Sequence, residues 1–337
     1  MPGRPDVRRR LAVSLAAFGT LALLAILLAP LVGSTPITLA RVFDRSIPFA
    51  DNVDAQIFFV ARLPRVLAAA LVGAALAMAG VVFQALLRNP LASPDTLGVS
   101  AGAALGAVLA ITFNADFTLL GVTAVPLASF AGSIGALIIV YGLSAARRRG
   151  TSTLVLLLAG VTLTALLSAI SAFVRYLADF TETLRTVRWL MGSLDIGAFT
   201  PIAVAAVPMG IAIAGFAMLP RILDLISMGA ESAAARGVDV TRAERIALVS
   251  ASLATGSAVA LAGPIGFVGI VVPHLVRLLV GADHRVVLPA SALFGASFLI
   301  ACDLVARIVF APTELPVGVV TALIGGPFFL WLLFRHA

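Results

Sequence analysis

Lysine is absent from this chain: all 23 cationic side chains are arginine. A P-loop needs Gly-x-x-x-x-Gly-Lys, because its lysine reaches the outer phosphates of the nucleotide. No such site exists here, and any ATP chemistry must belong to another chain. Cysteine is nearly absent too. The lone Cys302 excludes an internal disulfide and a thiolate metal cluster, and reads as a small apolar residue within a helix. Histidine is limited to His274, His284 and His336, which form no metal-ligand spacing, and His274 after Pro273 reads as a packed or interfacial residue. Charge of either sign is scarce, at 12% of 337 residues against about 25% in an ordinary soluble domain.

Long uncharged runs take the place of charge. Nine stretches of at least 17 residues contain no Asp, Glu, Lys or Arg: 11–40, 66–87, 96–115, 117–146, 150–174, 196–220, 246–276, 286–302 and 315–334. Together they make up 65% of the chain. About 20 apolar residues cross the hydrocarbon core of a bilayer as a helix, so the chain reads as an all-α, polytopic membrane protein forming a single transmembrane domain over 1–337. Strands of a transmembrane barrel would be ~10 residues long and alternate in polarity, which these runs do not. The isoelectric point of 11.2 suggests nucleic acid at first sight, but no soluble domain is left to carry such a surface. The arginines are therefore read against a membrane.

Arg4, Arg8, Arg9 and Arg10 precede an apolar run too long for an ordinary signal peptide, so the first span, about 11–32, is expected to stay uncleaved. Further spans are expected at 63–87, 94–113, 120–146, 151–175, 197–219, 243–262, 267–281, 286–304 and 316–334. The break in the run 246–276 is placed at Gly263-Pro264-Ile265-Gly266, since two glycines and a proline in four residues make a turn. Ten spans put both termini in the cytoplasm, with fifteen arginines inside, among them Arg147, Arg148 and Arg149. Eight lie outside: Arg41, Arg45, Arg62, Arg65, Arg175, Arg185, Arg188 and Arg307. That outer excess asks for a reason. Ser93-Pro94 reads as the cap and first residue of the third span, and Thr241 with Glu244 as a capping box opening the seventh. Pro208, Pro273 and Pro289 are expected to kink or break helices. Small residues from Gly98 to Gly106 point to close backbone packing. The similar patches 77–80 and 260–263 leave open an internal duplication.

Two regions carry candidate function. Residues 221–243 exceed what a connection requires and read as short helices broken at Gly229 and Gly237, with Glu231 and Arg236 among apolar residues. The segment suits either a docking knob for a cytoplasmic partner or an amphipathic helix lying on lipid. On the other side, Arg62 and Arg65 open the second span, and Arg307 follows Asp303 by one helical turn, so that these two can pair. Lipid-headgroup contact and an electropositive rim for an acidic partner both fit these arginines. No carboxylate sits at mid-span. A self-contained ion-coupled transporter would need one, and a membrane-embedded enzyme would need a nucleophile or metal cluster, so both classes lose support.

Three segments resemble permease subunits of binding-protein-dependent ABC importers for iron-siderophores, haem and cobalamin, the FecCD type. They are Arg88–Ala103 (RNPLASPDTLGVSAGA), Gly263–Arg277 (GPIGFVGIVVPHLVR) and Glu314–Pro327 (ELPVGVVTALIGGP), and the likeness runs from about Arg62 to the C-terminus. The resemblance implies a type II importer in the bacterial cytoplasmic membrane. Two permease chains, identical or homologous, would join two cytoplasmic ATPases that bind ATP and Mg, and one extracytoplasmic binding protein. It implies no catalysis, resident metal or cofactor in this chain. It implies docking of the binding protein at Arg62, Arg65 and Arg307, a cytoplasmic gate at Asn89, Leu91 and, by a looser match, Thr153, and an ATPase-coupling role for 221–243 with Gly229, Glu231, Arg236 and Gly237. An iron(III)-siderophore is the expected cargo, with haem and cobalamin as alternatives.

Overall fold

A computed structural model of the chain describes residues 7–145 and 153–336. The arginines at 147–149 lie outside the described residues. Helix α1 (Val7–Leu28) runs through a 3-10 turn at Ala29–Leu31 into an irregular segment holding the one-turn helices α2 (Leu39–Val42) and α3 (Val53–Gln56). A π-helical stretch, Ile57–Arg62, leads without a break into α4 (Leu63–Leu86). Then come α5 (Val99–Thr112), a two-residue hairpin of β1 (Thr118–Leu119) and β2 (Val122–Thr123), and α6 (Ala124–Ala145). In the hairpin Thr118 faces Thr123 and Leu119 faces Val122 in antiparallel register. After α7 (Thr153–Tyr176) and the short α8 (Phe180–Leu190) follow α9 (Phe199–Ala217), α10 (Pro220–Ser227) and α11 (Ala230–Ala235). The chain ends with α12 (Val240–Ala262), α13 (Val268–Val280), α14 (His284–Ile308) and α15 (Val317–His336).

Each of the ten expected spans coincides with one apolar helix. Seven of these are long and apolar enough to cross a membrane alone, while α5, α13 and α15 are shorter. Helices α4, α12 and α14 form the interior, and small residues explain how closely they meet. A Cβ on Gly73 would fall 2.2 Å from the Gly295 carbonyl oxygen of α14, and one on Gly80 would fall 1.9 Å from that of Gly269 in α13. In α5, Gly102 abuts Gly132 of α6 in the same way, as the small-residue run led one to expect. Outer helices turn large apolar side chains outward: Leu23 and Leu27 of α1, Leu158 and Phe173 of α7, Val207 and Ile211 of α9, Leu330 and Phe334 of α15. Surfaces of this extent are tolerated in lipid and not in water.

Several local expectations need correction. Ser93 and Pro94 do not open α5. Pro94–Leu97 forms a 3-10 turn, Gly98 takes a left-handed conformation (φ 77°), and the helix starts at Val99. The cap of α12 is Asp239, whose carboxylate accepts from the Arg242 amide at 3.0 Å, so the helix is already under way at Thr241. Pro208, Pro273 and Pro289 lie inside α9, α13 and α14, which continue through them. The break at 263–266 is where it was expected, with Gly263 at φ 70° ending α12. The two similar patches do different work: Gly80 sits within a helix against a neighbouring backbone, whereas Gly263 terminates one.

Candidate functional site

Three groups of residues carry the candidate chemistry. The first is the segment after α9. Gly229 (φ 120°) and Gly237 (φ 82°) separate α10, α11 and α12, as the sequence suggested, because only glycine adopts such backbone cheaply. The resulting knob has its own small core of Ile226, Ala233 and Ala243, with Ile222, Leu225, Val238 and Val240 packed around it. Glu231 and Arg236 are exposed on it, and the Arg236 guanidinium lies 3.6 Å from the Met228 sulfur. One carboxylate moors the knob to the bundle. Asp224 accepts from the His284 amide at 3.0 Å and lies 2.6 Å from its Nδ1, at the first turn of α14. Sequence reasoning missed this tie, whose partners are 60 residues apart. Gly281 and Asp283 do mark the start of α14, where His284 would sit.

The second group holds the three candidate docking arginines, and the structure turns all of them inward. Arg62, Arg65 and Arg307 are 4–6% exposed and Asp303 is fully buried. Arg65 Nε donates to Asp303 at 2.8 Å and Nη1 to Glu314 at 2.5 Å. Arg307 Nε lies 3.1 Å from the other Asp303 oxygen, the one-turn pairing that the spacing suggested. Arg307 also donates to the carbonyls of Ala29 and Val32, and Arg62 to those of Pro30 and Thr35. The chain leaving α1 thus wraps around two buried guanidinium groups, adding acceptors to Arg307 beside Asp303 and supplying those of Arg62. Headgroup contact or an exposed rim is therefore not how these side chains stand. Glu314, with its side chain 44% exposed, is the accessible member of the cluster. Its part was not read from the sequence, because Glu314 and Arg65 are 249 residues apart.

The third group is the turn after α4. Arg88 takes a left-handed φ of 47°, and the Asn89 side-chain oxygen accepts from the Leu91 amide at 2.9 Å. Asn89 and Leu91 thus belong to one tight turn, with Leu91 exposed. Thr153 is the first residue of α7; its side chain lies outside the described residues. The 3-10 turn that follows Leu91 packs on α7, where a Cβ on Gly160 would come 2.3 Å from the Thr96 carbonyl.

Within the bundle, Gln84 donates to the Gly269 carbonyl at 3.1 Å and accepts from Arg277, a buried polar link between α4 and α13. No group of three metal-ligating side chains occurs among the described residues. Cys302 is buried and free, and His274 packs edge-on to Phe328.

Likeness to known proteins is extensive. The FecCD transport family matches residues 21–335. The chain is 46% identical over 278 residues to the cobalamin import system permease protein BtuC of Halobacterium salinarum, covering 81% of this chain and 72% of that protein. It is 40% identical over 280 residues to the Fe(3+) dicitrate transport system permease protein FecD of Escherichia coli, covering 81% and 84% respectively. A solved structure of a metal-chelate type ABC transporter in an inward-facing conformation superposes with a TM-score of 0.81 at 32% identity, over 96% of this chain and 99% of that one.

Proposed function

From the premise that the chain belongs to the FecCD transport family, we propose that it carries an iron(III)-siderophore across the bacterial cytoplasmic membrane as the permease subunit of an ATP-driven importer. Two permease chains enclose the path, two separate ATPases drive it, and an extracytoplasmic binding protein delivers the cargo. Ten spans with both termini in the cytoplasm put the α10–α11 knob on the ATPase side and the Arg65–Glu314 cluster on the delivery side. The observation that carries this reading is the knob itself: a compact helical element, cored and moored by Asp224, that a connection between two spans would not need. Glu231 and Arg236 on its face meet the ATPase. Nucleotide-driven movement of α10 passes to α14 through the Asp224–His284 tie. A driven switch requires such differential contact with the partner in each state. The turn at Asn89 and Leu91, with Thr153, forms the cytoplasmic gate.

On the delivery side, Arg62, Arg65 and Arg307 serve docking by keeping the rim positive, and acidic side chains of the binding protein exchange with Glu314 for Arg65. Asp303 does not act as an ion-coupling carboxylate, since two arginines already neutralise it. Cobalamin is the second reading, favoured by the 46% identity to a cobalamin permease. Uptake by the assembled transporter in proteoliposomes tests both, with unlabelled ferric siderophore, haem and cobalamin competing. Inhibition by cobalamin alone overturns the siderophore reading. For the knob, Gly237→Pro is expected to abolish uptake while the chain stays in the membrane, and to uncouple or release the ATPase. Normal coupled uptake in that variant would make 221–243 a lipid-lying helix instead.

A further inference from the structure

Arg185 and Arg188 of α8 are two of the outer arginines that the proposed function leaves unused. Both are exposed, and neither makes an ion pair or a hydrogen bond among the described residues. They are spaced so as to share one face of the helix. The position of α8 is set by other groups. Glu182 accepts from the Asp179 amide at 3.1 Å and from the Asn114 side chain, and Met191 at its end packs against Gly318. Its two guanidinium groups and the Trp189 ring therefore stand at the rim of a cavity of about 700 Å³. Asp195 is on the same rim, which leaves the cavity mouth with one net positive charge.

This cavity does not end in polar protein. Pro126, Pro201, Ala260 and Leu261 line it and also line a second groove of about 380 Å³ between α6, α9 and α12, apolar but for Ser257. The groove follows α9 from Pro201 to Ile211. Ten residues of helix rise roughly 15 Å, half of a hydrocarbon core about 30 Å thick, so the groove has the depth of one leaflet. A positive rim with an interfacial tryptophan, opening onto an apolar slot one leaflet deep, matches an anionic headgroup joined to an acyl chain.

We infer that this is a binding site for an anionic glycerophospholipid, with the headgroup phosphate at Arg185 and Arg188 and one acyl chain between α6, α9 and α12. The site needs only that the chain is embedded in a bilayer, and holds whatever the cargo is. A second permease chain or the cargo are the other candidate occupants. Both leave the rim arginines without a reason to sit above an acyl-length slot.

The chain has two tryptophans, so Trp331→Phe leaves Trp189 as the only one. In nanodiscs of phosphatidylcholine, the fluorescence of that protein is to be read as phosphatidylglycerol or phosphatidylcholine with brominated acyl chains is added at equal mole fraction. Brominated phosphatidylglycerol is expected to quench Trp189 saturably and at lower mole fraction than the zwitterionic lipid. On the scale of an arginine near an anionic lipid surface, Arg185→Gln and Arg188→Gln should each weaken that preference about fivefold, and the pair should abolish it. Val204→Phe, which fills the groove, should reduce quenching by both lipids. Equal quenching by the two lipids, or a preference that survives the double variant, overturns the proposal. So does an absence of quenching, which would mean that a second permease chain covers the groove. Stoichiometric loss of quenching on adding a ferric siderophore would give the slot to the cargo and likewise overturn it.

Discussion

Arg65 and Arg307 on the one hand, and Arg185 and Arg188 on the other, belong to the same end of the molecule. Met191, one residue beyond α8, touches Gly318, four residues from the Glu314 that pairs with Arg65. Yet the first pair is closed into the protein and the second is left open. The closed pair shares Asp303, fully buried; Arg65 takes Glu314 as its remaining acceptor, and Arg307 the carbonyls of Ala29 and Val32. The open pair has no acceptor among the described residues and an apolar slot beside it. Arginine excess on the outer side thus has two physical origins. Inside the bundle it is a structural network in which every charge must be matched. At the edge it is unspent charge, available to a ligand.

The difference is sharpest in what removal costs. Asp303→Ala leaves two buried guanidinium groups short of an anion and is expected to cost about 3–5 kcal/mol. That should appear as a large fall in melting temperature of the detergent-solubilised chain and a low yield. Arg185→Gln on the exposed face should stay within about 0.5 kcal/mol of the parent. If both variants melt with the parent, the division into closed and open arginines fails.

The same contrast holds between helix surfaces. Of the most apolar stretch of α4, 78% is buried, against 17% for the outer α7 and α9. Gly80→Leu drives a side chain into the Gly269 backbone and is expected to cost 1–3 kcal/mol, an approximate range for overpacking. Gly135→Leu on α6, where a Cβ meets nothing within 4 Å, should be tolerated. Thermal melts of the two variants side by side check this, and equal losses would contradict the interior assignment of α4.

A smaller effect is expected where the knob meets the bundle. Asp224→Ala removes two contacts to His284 at the start of α14, a loss of about 1.5 kcal/mol. Its main readout is functional: the reconstituted transporter should hydrolyse ATP with less cargo moved per nucleotide. An unchanged ratio would show that α10 signals to the bundle by another route.

The smallest effect concerns acid. Asp283 caps α14 by accepting from the Arg285 amide at 3.0 Å, and the Arg285 guanidinium donates to it at 2.7 and 3.0 Å. Those side-chain hydrogen bonds hold its carboxyl below the usual carboxylate range. A depressed value in the folded state means stability that is present above the ordinary carboxylate pKa and lost as pH falls through the folded one. Melting temperature should therefore fall as the pH drops below about 4, the ordinary carboxylate value, and Asp283→Asn, which can still cap, should flatten part of that fall.

Residue order alone made the membrane class, the ten apolar helices, the turn at 263–266 and the glycine breaks at 229 and 237 legible. Those signals are local: a run length, a missing charge, a residue that tolerates left-handed backbone. The caps at Ser93 and Thr241 were misplaced for a local reason as well. A 3-10 turn before Gly98 and an aspartate at 239 compete with the expected capping residues for the same few amide groups, and sequence pattern does not rank such close alternatives.

The burial of Arg62, Arg65 and Arg307 was decided elsewhere. An arginine at a helix end reads alike whether it faces lipid headgroups, a partner or the protein interior. What settles it is whether acceptors arrive from distant parts of the chain, here Asp303, Glu314 and the carbonyls of residues 29–35. Asp224 with His284, and the slot beneath Arg185 and Arg188, arise in the same way, from elements that packing alone brings together. The chain's own order determined which segments must leave water, because that depends on composition over about twenty residues. Only the tertiary structure decided which charges are satisfied and which remain free, because that depends on partners tens to hundreds of residues away.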